Sequence, residues 1–236
     1  MSQMCLVLLA GLLLLRADQA WAEPSRPPIR IDHIMLGIAN LDRGMEAFEQ
    51  ATGVRPVYGG KHPTGTHNAL VSLGDGIYLD LIAAQPGAQP TSFNNDLLKL
   101  DAPTPIGWAV SADDAKALRQ KLTSAGFGLS DLKDGSRVTP SGATLRWQTF
   151  ELASNLPGDP FFIVWAAESP HPSSTSPKGC TLDRFTIANP DHEQLDRIRG
   201  VLDLPVVVMK AAREEFTLSL TCPKGKVVFG PAAKQP

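Results

Sequence analysis

One order of elements recurs three times along this chain of 236 residues. Each copy reads as a strand, a polar capping residue, an amphipathic helix and a glycine that ends the helix. The three glycines, Gly53, Gly126 and Gly200, are spaced 73 and 74 residues apart. Short strand-like runs separated by turn residues follow each helix. A spacing this regular predicts internal repetition, with three β-α-β-β-β units in one chain.

The predicted fold class is therefore α+β, with two full units and a third, degenerate one. Residues 29–167 are expected to form the two paired units. The Pro- and Ser-rich stretch 168–179 reads as a linker, and residues 180–230 as the third unit, packed on the same domain.

The charge of the chain excludes one class of partner. The formal net charge is −2 and the basic residues are scattered among acids, so the chain lacks the basic patch that nucleic-acid binding requires. It also has no phosphate loop, nucleophile elbow or CxxC motif.

The first 22 residues differ from the rest. Met4 to Leu15 is almost entirely apolar but too short to span a bilayer, and Ala20-Trp21-Ala22 is a small-x-small cleavage pattern. We expect a secretory signal peptide over residues 1–22, cleaved after Ala22, and a periplasmic or secreted protein with no membrane span in the mature chain. No Lys or Arg precedes Arg16, so an uncleaved anchor or a misassigned start stays open.

Cleavage would leave two cysteines, Cys180 and Cys222. An even count is compatible with an oxidising compartment. A disulfide and two separate strand cysteines are both open, because the sequence does not show whether their Cβ atoms meet.

An acid interrupts the last strand of the first unit. Side chains alternate between the two faces of a strand, so Tyr78, Asp80 and Ile82 lie opposite the apolar face made by Ile77, Leu79 and Leu81. The first strand alternates in the same way, with His33, Met35 and Gly37 opposite Ile34, Leu36 and Ile38. A buried carboxylate is costly unless it is paired, so Asp80 needs a partner.

The stretch from Asp32 to Ala83 resembles the glyoxalase-like domain proteins of the vicinal oxygen chelate superfamily. The resemblance lies in Asp32-His33 on its first strand and in "GTHNALVSLGDGIYLDLI" on its third and fourth strands. The resemblance implies that each unit forms a curved mixed sheet with its helix outside. It also implies that two units pair so that their concave faces enclose a site, and that His33 and Asp80 project from one such face.

The same resemblance implies one divalent metal, Fe, Mn, Ni or Zn, with His33 and Asp80 as ligands. His67 is a weaker third candidate, which would complete a two-histidine, one-carboxylate set. The second unit departs from the pattern, because Val164 aligns with Asp80 and Ile106 or Gly107 with His33. A metal-free polar site in which Asp80 hydrogen-bonds His33, and a purely structural His–Asp pair, therefore stay open.

Candidate substrate-binding residues surround this pair: His67, Asn68, Tyr78, Trp108 and Trp165. Core packing is the default interpretation of the two tryptophans, although aromatic walls are also typical of ligand pockets. His62 lies in a Gly-rich turn that could rim the pocket. His171, between two prolines, and His192 are expected to be exposed.

Two functions fit these patterns. The first is an enzyme of lyase, isomerase or dioxygenase type, in which a metal polarises a small oxygen-rich organic molecule. The second is a metal-free protein that binds or sequesters a small ligand without chemistry. The sequence identifies no catalytic residue and leaves the substrate and the oligomeric state open.

Overall fold

The computed structural model describes residues 29–74 and 76–230. The predicted signal peptide lies outside the described residues. The first unit contains β1 (Ile29–Gly37), α1 (Leu41–Thr52), β2 (Val57–Lys61), β3 (Thr66–Gly74) and β4 (Ile77–Ala84), and α2 (Ser92–Leu97) follows it. The second contains β5 (Thr104–Ala112), α3 (Ala115–Ser124), β6 (Lys133–Val138), β7 (Thr144–Phe150) and β8 (Phe161–Trp165), and α4 (Pro172–Thr175) follows it. The third contains β9 (Thr181–Asn189), α5 (His192–Leu202), β10 (Val207–Lys210), β11 (Glu215–Cys222) and β12 (Gly225–Phe229).

The first two units share one eight-stranded sheet in the order β2-β3-β4-β1-β5-β8-β7-β6. Within each unit the first and last strands pair in parallel, and the antiparallel pair β1–β5 joins the units. The sheet curves until its two ends, β2 and β6, contact each other. The fold class is thus confirmed as α+β, with a curved, nearly barrel-shaped mixed sheet.

The third unit repeats the order of elements but not the strand pairing. Its four strands form a separate sheet in the order β10-β9-β11-β12. Here the strand that follows the helix, β10, pairs in parallel with β9, whereas in the first unit the corresponding strand, β2, pairs antiparallel with β3. The degenerate copy therefore forms a different sheet from the same linear pattern.

One hydrophobic core lies between the two sheets and the helices. Ile34 and Leu36 of β1, and Ile38 directly after it, face this core, as their alternation predicts. The third unit contributes to the same core, since the ring of Phe185 lies 5.8 Å from that of Trp108. The opposite, concave face of the large sheet is thus left for other uses.

The helix ends follow the sequence in part. Helix α1 ends at Gly53 in the left-handed conformation (φ 80°), where a glycine is favoured. The expected stop at Gly200 is wrong: α5 continues to Leu202 and ends at Asp203, which itself adopts the left-handed conformation. An aspartate tolerates that conformation better than most residues, so no glycine was required there.

A disulfide crosslinks the third unit, and the segment before this unit contacts the large sheet. Cys180 and Cys222 form a disulfide between the start of β9 and the end of β11. Residues 168–179 pack back on the large sheet, where the Ser72 N–H donates to the Pro177 carbonyl at 2.8 Å. No helix in the described part of the chain is long and apolar enough to cross a membrane.

Candidate functional site

A β-bulge shapes the start of the site. The pairing of β1 with β5 shifts register between Ile31, opposite Val110, and His33, opposite Ala109. Asp32 is the extra residue in this shift. A bulge redirects side chains locally, and this one brings the Asp32 carboxylate beside the His33 ring.

The Asp32 carboxylate is completely buried and accepts three hydrogen bonds. The donors are His33 Nδ1 at 2.7 Å, His171 Nε2 at 3.0 Å and Trp165 Nε1 at 3.1 Å. Burial raises the pKa of Asp32, but the hydrogen bonds and charges of His171 and His33 outweigh burial and hold the pKa well below its usual range. Asp32 is therefore a buried, ionised acceptor.

These contacts assign the histidine tautomers. The backbone N–H of Ser173 donates to His171 Nδ1 at 3.2 Å, so the ring proton of neutral His171 is on Nε2, facing Asp32. An ionised carboxylate only accepts, so His33 Nδ1 carries the proton in the bond to Asp32. In neutral His33, Nε2 then keeps its lone pair and makes no hydrogen bond to any described residue.

His33 lines a cavity of about 180 Å³ on the concave face. Its lining residues come from both paired units: His33, Met35, His62, Thr64, Thr66, Asn68, Tyr78, Asp80, Ile82, Phe93, Arg137, Trp147, Phe161, Ile163 and Trp165. Polar groups from the first unit face aromatic and apolar walls that come largely from the second. A few polar groups among apolar walls are typical of a small-molecule site.

A chain of hydrogen bonds crosses the cavity from one unit to the other. Asn68 Nδ2 donates to Asp80 Oδ1 at 2.8 Å, and Arg137 Nη1 donates to Asn68 Oδ1 at 3.1 Å. All three side chains are buried. Asp80 thus has the partner that its burial requires, but the partner is Asn68 and not His33.

Two more ionisable groups complete the site. The Tyr78 ring stacks on His33 with centroids 4.7 Å apart, and burial, then the charges of Asp32 and Asp80, raise the pKa of the phenol. His62 Nδ1 lies 2.9 Å from Thr66 Oγ1, and burial lowers the pKa of its ring. The phenol of Tyr78 stays protonated, and the His62 ring is held toward its neutral form.

The structure brings together five of the seven candidate metal-binding and substrate-binding residues and separates two. His33, Asn68, Tyr78, Asp80 and Trp165 line the cavity. His67 does not: it lies on the other face of β3, beside a separate cleft that also contains Asn40 and Asp42. Trp108 is also outside the cavity, buried in the core with its Nε1 donating to the Gly158 carbonyl at 3.0 Å.

Three ionisable residues at the site were missed. Asp32 stood in the quoted motif, but a bulge cannot be read from alternation. Arg137 comes from the far edge strand of the second unit, and the one signal for its approach is the pair Gly59-Gly60 on β2. His171 was expected to be exposed, but only 13% of its side chain is exposed and the ring is hydrogen-bonded to Asp32.

The metal-ligating side chains at this site do not fit a tightly bound divalent cation. The described residues contain no group of three or more His, Cys, Asp or Glu side chains arranged to hold a metal. Of the implied ligands only His33 and Asp80 reach the cavity, and the Arg137 guanidinium lines the same cavity and repels a cation. The two-histidine, one-carboxylate set fails because His67 faces away.

A family profile and one solved structure agree with the architecture. Residues 31–199 match the profile of a family described as a glyoxalase-like domain. A crystal structure of a hypothetical protein from Staphylococcus aureus is similar with a TM-score of 0.60 and 17% identity, over 86% of this chain and 85% of that one. Methylmalonyl-CoA epimerase from Mycobacterium tuberculosis aligns with a TM-score of 0.41 and 17% identity, over 61% of this chain and 92% of that one. No curated protein matches the sequence.

Proposed function

The chain belongs to the glyoxalase-like domain family of the vicinal oxygen chelate superfamily, and we propose that it is an enzyme that moves a proton on a small, oxygen-bearing organic molecule bound in the concave cavity. His33 is the proposed acid–base residue. The reaction class is an isomerisation or a lyase reaction, in which a proton leaves or joins a carbon next to a polarised oxygen.

The hydrogen bond from His33 Nδ1 to Asp32 carries this proposal. A buried carboxylate behind a histidine fixes the tautomer and the ring orientation, and it stabilises the imidazolium that forms when the ring takes a proton. Nε2 is left as the free acceptor on a residue that lines the cavity. A histidine with only a structural role would be expected to use both ring nitrogens in hydrogen bonds.

The cavity supports a small ligand. Its volume of about 180 Å³ lies below the range of roughly 300–1,000 Å³ typical of sites for drug-sized molecules. The Tyr78 phenol, held protonated by its raised pKa, is a hydrogen-bond donor for an oxygen of the ligand. A dioxygenase reaction is not proposed, because it needs a redox metal and the donor set is incomplete for one.

The alternative function is binding without chemistry. The observation in its favour is that the second unit presents an aromatic wall, Trp147, Phe161 and Trp165, where a catalytic unit would supply polar groups. Such a wall binds planar apolar surface well and performs no reaction.

The two functions are distinguished by testing whether the protein catalyses the exchange of carbon-bound hydrogen for deuterium in small molecules. The protein is incubated in D2O with a panel of small ketones, hydroxyketones and hydroxy acids, and deuterium at carbon is measured by NMR. We expect exchange catalysed by the wild type, with a rate about 10²–10⁴-fold lower in His33→Gln, as for the loss of a general base. His192→Gln, a histidine on α5 outside the cavity, is the matched control and should exchange normally.

Three outcomes decide the proposal. Equal exchange in the wild type and His33→Gln would contradict the role of His33. Thermal stabilisation by a panel member without any exchange would favour the binding alternative. If a chelator abolishes exchange and added Fe, Mn, Ni or Zn restores it, this would contradict the inference that the site does not hold a divalent metal.

A further inference from the structure

The cavity contains a buried cation that has no acidic partner among the described residues, and we propose that it binds the carboxylate group of a small organic acid. The cation is the guanidinium of Arg137. This inference deepens the proposed function and rests on the same cavity, because it names the chemical class of the ligand. His33 and Arg137 both line the cavity, so an acid held by its carboxylate at Arg137 places its remaining atoms in the space that His33 lines.

The burial of Arg137 is the main observation. The residue is 4% exposed, and its side chain makes one hydrogen bond, to Asn68, and no ion pair with any acid in the described part of the chain. Burying a charge without a partner is strongly unfavourable, so buried arginines are normally paired with acids. Asp80 offsets part of the charge, but Asn68 bridges the two groups, and most of the guanidinium N–H donors stay free for an anion.

The sheet is built to admit this side chain. A Cβ atom at Gly59 would lie 2.3 Å from Arg137 Nη1 and 2.4 Å from Asn68 Oδ1. A Cβ atom at Gly60, whose φ is +138°, would lie 2.6 Å from the Val138 carbonyl oxygen. Two glycines on β2 therefore let the edge strand β6 approach and carry Arg137 into the concave face. A solvent-exposed arginine would need neither glycine.

A larger cavity of about 700 Å³ adjoins the first, and Arg137 and His62 line both. Its described lining includes the cations Lys61 and Arg137 and no Asp or Glu. Clefts lined by one sign of charge concentrate ligands of the opposite sign. The outer cavity is therefore an entry route for an anion, and Arg137 lies where this route meets the inner cavity.

A carboxylate fits the guanidinium better than other anions of this size. The planar fork of an arginine matches the two oxygens of a carboxylate, which can accept two parallel hydrogen bonds. The inner cavity of about 180 Å³ is also lined by apolar groups such as Ile82, Phe161 and Ile163, which suit the carbon body of an organic acid more than a fully hydrated ion.

The test uses the smallest carboxylates, which avoids guessing the natural ligand. Formate and acetate are titrated to about 100 mM at constant ionic strength into the full-length protein, and binding is followed by the arginine Nε–H signals in NMR and by thermal unfolding. We expect a saturable shift of the Arg137 signal and a rise in Tm with both anions. Formamide and acetamide, their neutral counterparts, should have neither effect.

Variants make the result specific. Arg137→Met should lose the response to acetate, at least tenfold in Kd, and in anion-poor buffer its Tm should equal or exceed that of the wild type, because it removes an unpaired buried charge. Gly59→Ala keeps Arg137 but places a methyl group against its guanidinium, and should weaken acetate binding. Arg43→Gln, with the same change in charge at an exposed site on α1, should respond as the wild type does.

Each other outcome overturns the inference. These are no saturable response to either acid, an equal response to acids and amides, unchanged binding in Arg137→Met, or phosphate binding more tightly than acetate. Catalytic exchange is measured separately, so acetate binding without any exchange would contradict the proposed reaction while supporting the anion site.

Discussion

Asp32 connects His33, the proposed acid–base residue, to the rest of the molecule. Its carboxylate accepts from a ring on its own strand, from Trp165 at the end of β8 and from His171 in the segment that leads to the third unit. The position of His33 thus depends on contacts with three separate parts of the chain. A single carboxylate with several donors is more rigid than one with a single partner.

Replacing Asp32 by asparagine tests this arrangement. The amide carries two N–H donors and cannot accept from all three neighbours, so we expect His33 to lose the Nδ1–H tautomer and the protein to lose about 1.5–3 kcal/mol of stability, as for hydrogen bonds to charged groups. Nitrogen NMR of the histidine rings reports the tautomer, and urea unfolding reports the free energy. Asp101→Asn, at an exposed loop position, is the control. An unchanged His33 tautomer in Asp32→Asn would refute the role of the carboxylate.

The pKa of His62 predicts a loss of stability in mild acid. Burial lowers the pKa of this ring from its usual value of 6.5, Asp80 raises it and Arg137 lowers it, and the net shift is downward. A lowered pKa in the folded state means that the unfolded chain binds the proton first, so stability is present above about pH 6.5 and falls as the pH drops through the folded-state pKa.

The measurement is Tm against pH between about 8 and 5. The wild type should lose more stability over this range than His62→Gln, which has no proton to take up there. Asp32, whose pKa is depressed, adds a further loss only at lower pH, below the usual range of a carboxyl. Parallel curves for the wild type and His62→Gln would show that His62 does not contribute.

At the scale of strands and helices, the third unit depends on a crosslink as well as on packing. The disulfide joins residues 42 apart and closes a loop that contains α5 and β10. The entropy of closing a loop of this length corresponds to about 4 kcal/mol, an upper figure when the reduced chain retains structure.

Reduction should therefore destabilise the protein by about 2–4 kcal/mol, measured by urea unfolding with and without dithiothreitol. The doubly substituted Cys180→Ala, Cys222→Ala protein should resemble the reduced wild type and should not respond to dithiothreitol. Equal stability of the oxidised and reduced wild type would mean that packing alone holds β9 against β11.

Regular alternation explains what the sequence could predict of the site. His33, Tyr78 and Asp80 share one face because β1 and β4 have a strict period of two over these residues and pair in parallel, with His33 opposite Tyr78. The bulge at Asp32 breaks that period, and its position depends on how β1 pairs with β5. His67 was ambiguous for the same reason, since a shift of one residue exchanges the two faces of a strand.

The position of Arg137 in the site could not be predicted from alternation within one strand. It reaches Asn68 only because the two edges of the eight-stranded sheet meet, and this closure is a property of the whole curved sheet. The residues are 69 positions apart in the sequence, on strands of different units. No local sequence pattern predicts a contact between residues so far apart in the chain. Two adjacent glycines on an edge strand do indicate that another part of the chain approaches its backbone closely.

At the scale of the whole molecule, the two faces of the large sheet have different surroundings. The concave face carries the polar cavity, and the opposite face packs on α1, α3 and the small sheet in one continuous core. The third unit contributes Phe185 and Phe216, whose rings are stacked 5.9 Å apart, to that core. Its role is thus to cover apolar surface that the paired units would otherwise expose to water.

A shared core predicts that the three units unfold together. The described tryptophans, Trp108, Trp147 and Trp165, all lie in the second unit, so their fluorescence reports a region distinct from Phe185 in the third. Phe185→Ala removes a fully buried ring and should cost about 3–5 kcal/mol.

If the core is one cooperative unit, this loss shifts the unfolding midpoint equally by tryptophan fluorescence and by far-UV circular dichroism. The midpoint is the quantity to compare, because Phe185 contacts Trp108 and its removal changes the emission directly. Val228→Ala, 64% exposed on β12, is the control and should change stability by less than about 0.5 kcal/mol. A fluorescence midpoint that stays in place while circular dichroism shows an earlier second transition would mean that the third unit folds separately, and the large sheet would then have to keep its cavity without that cover.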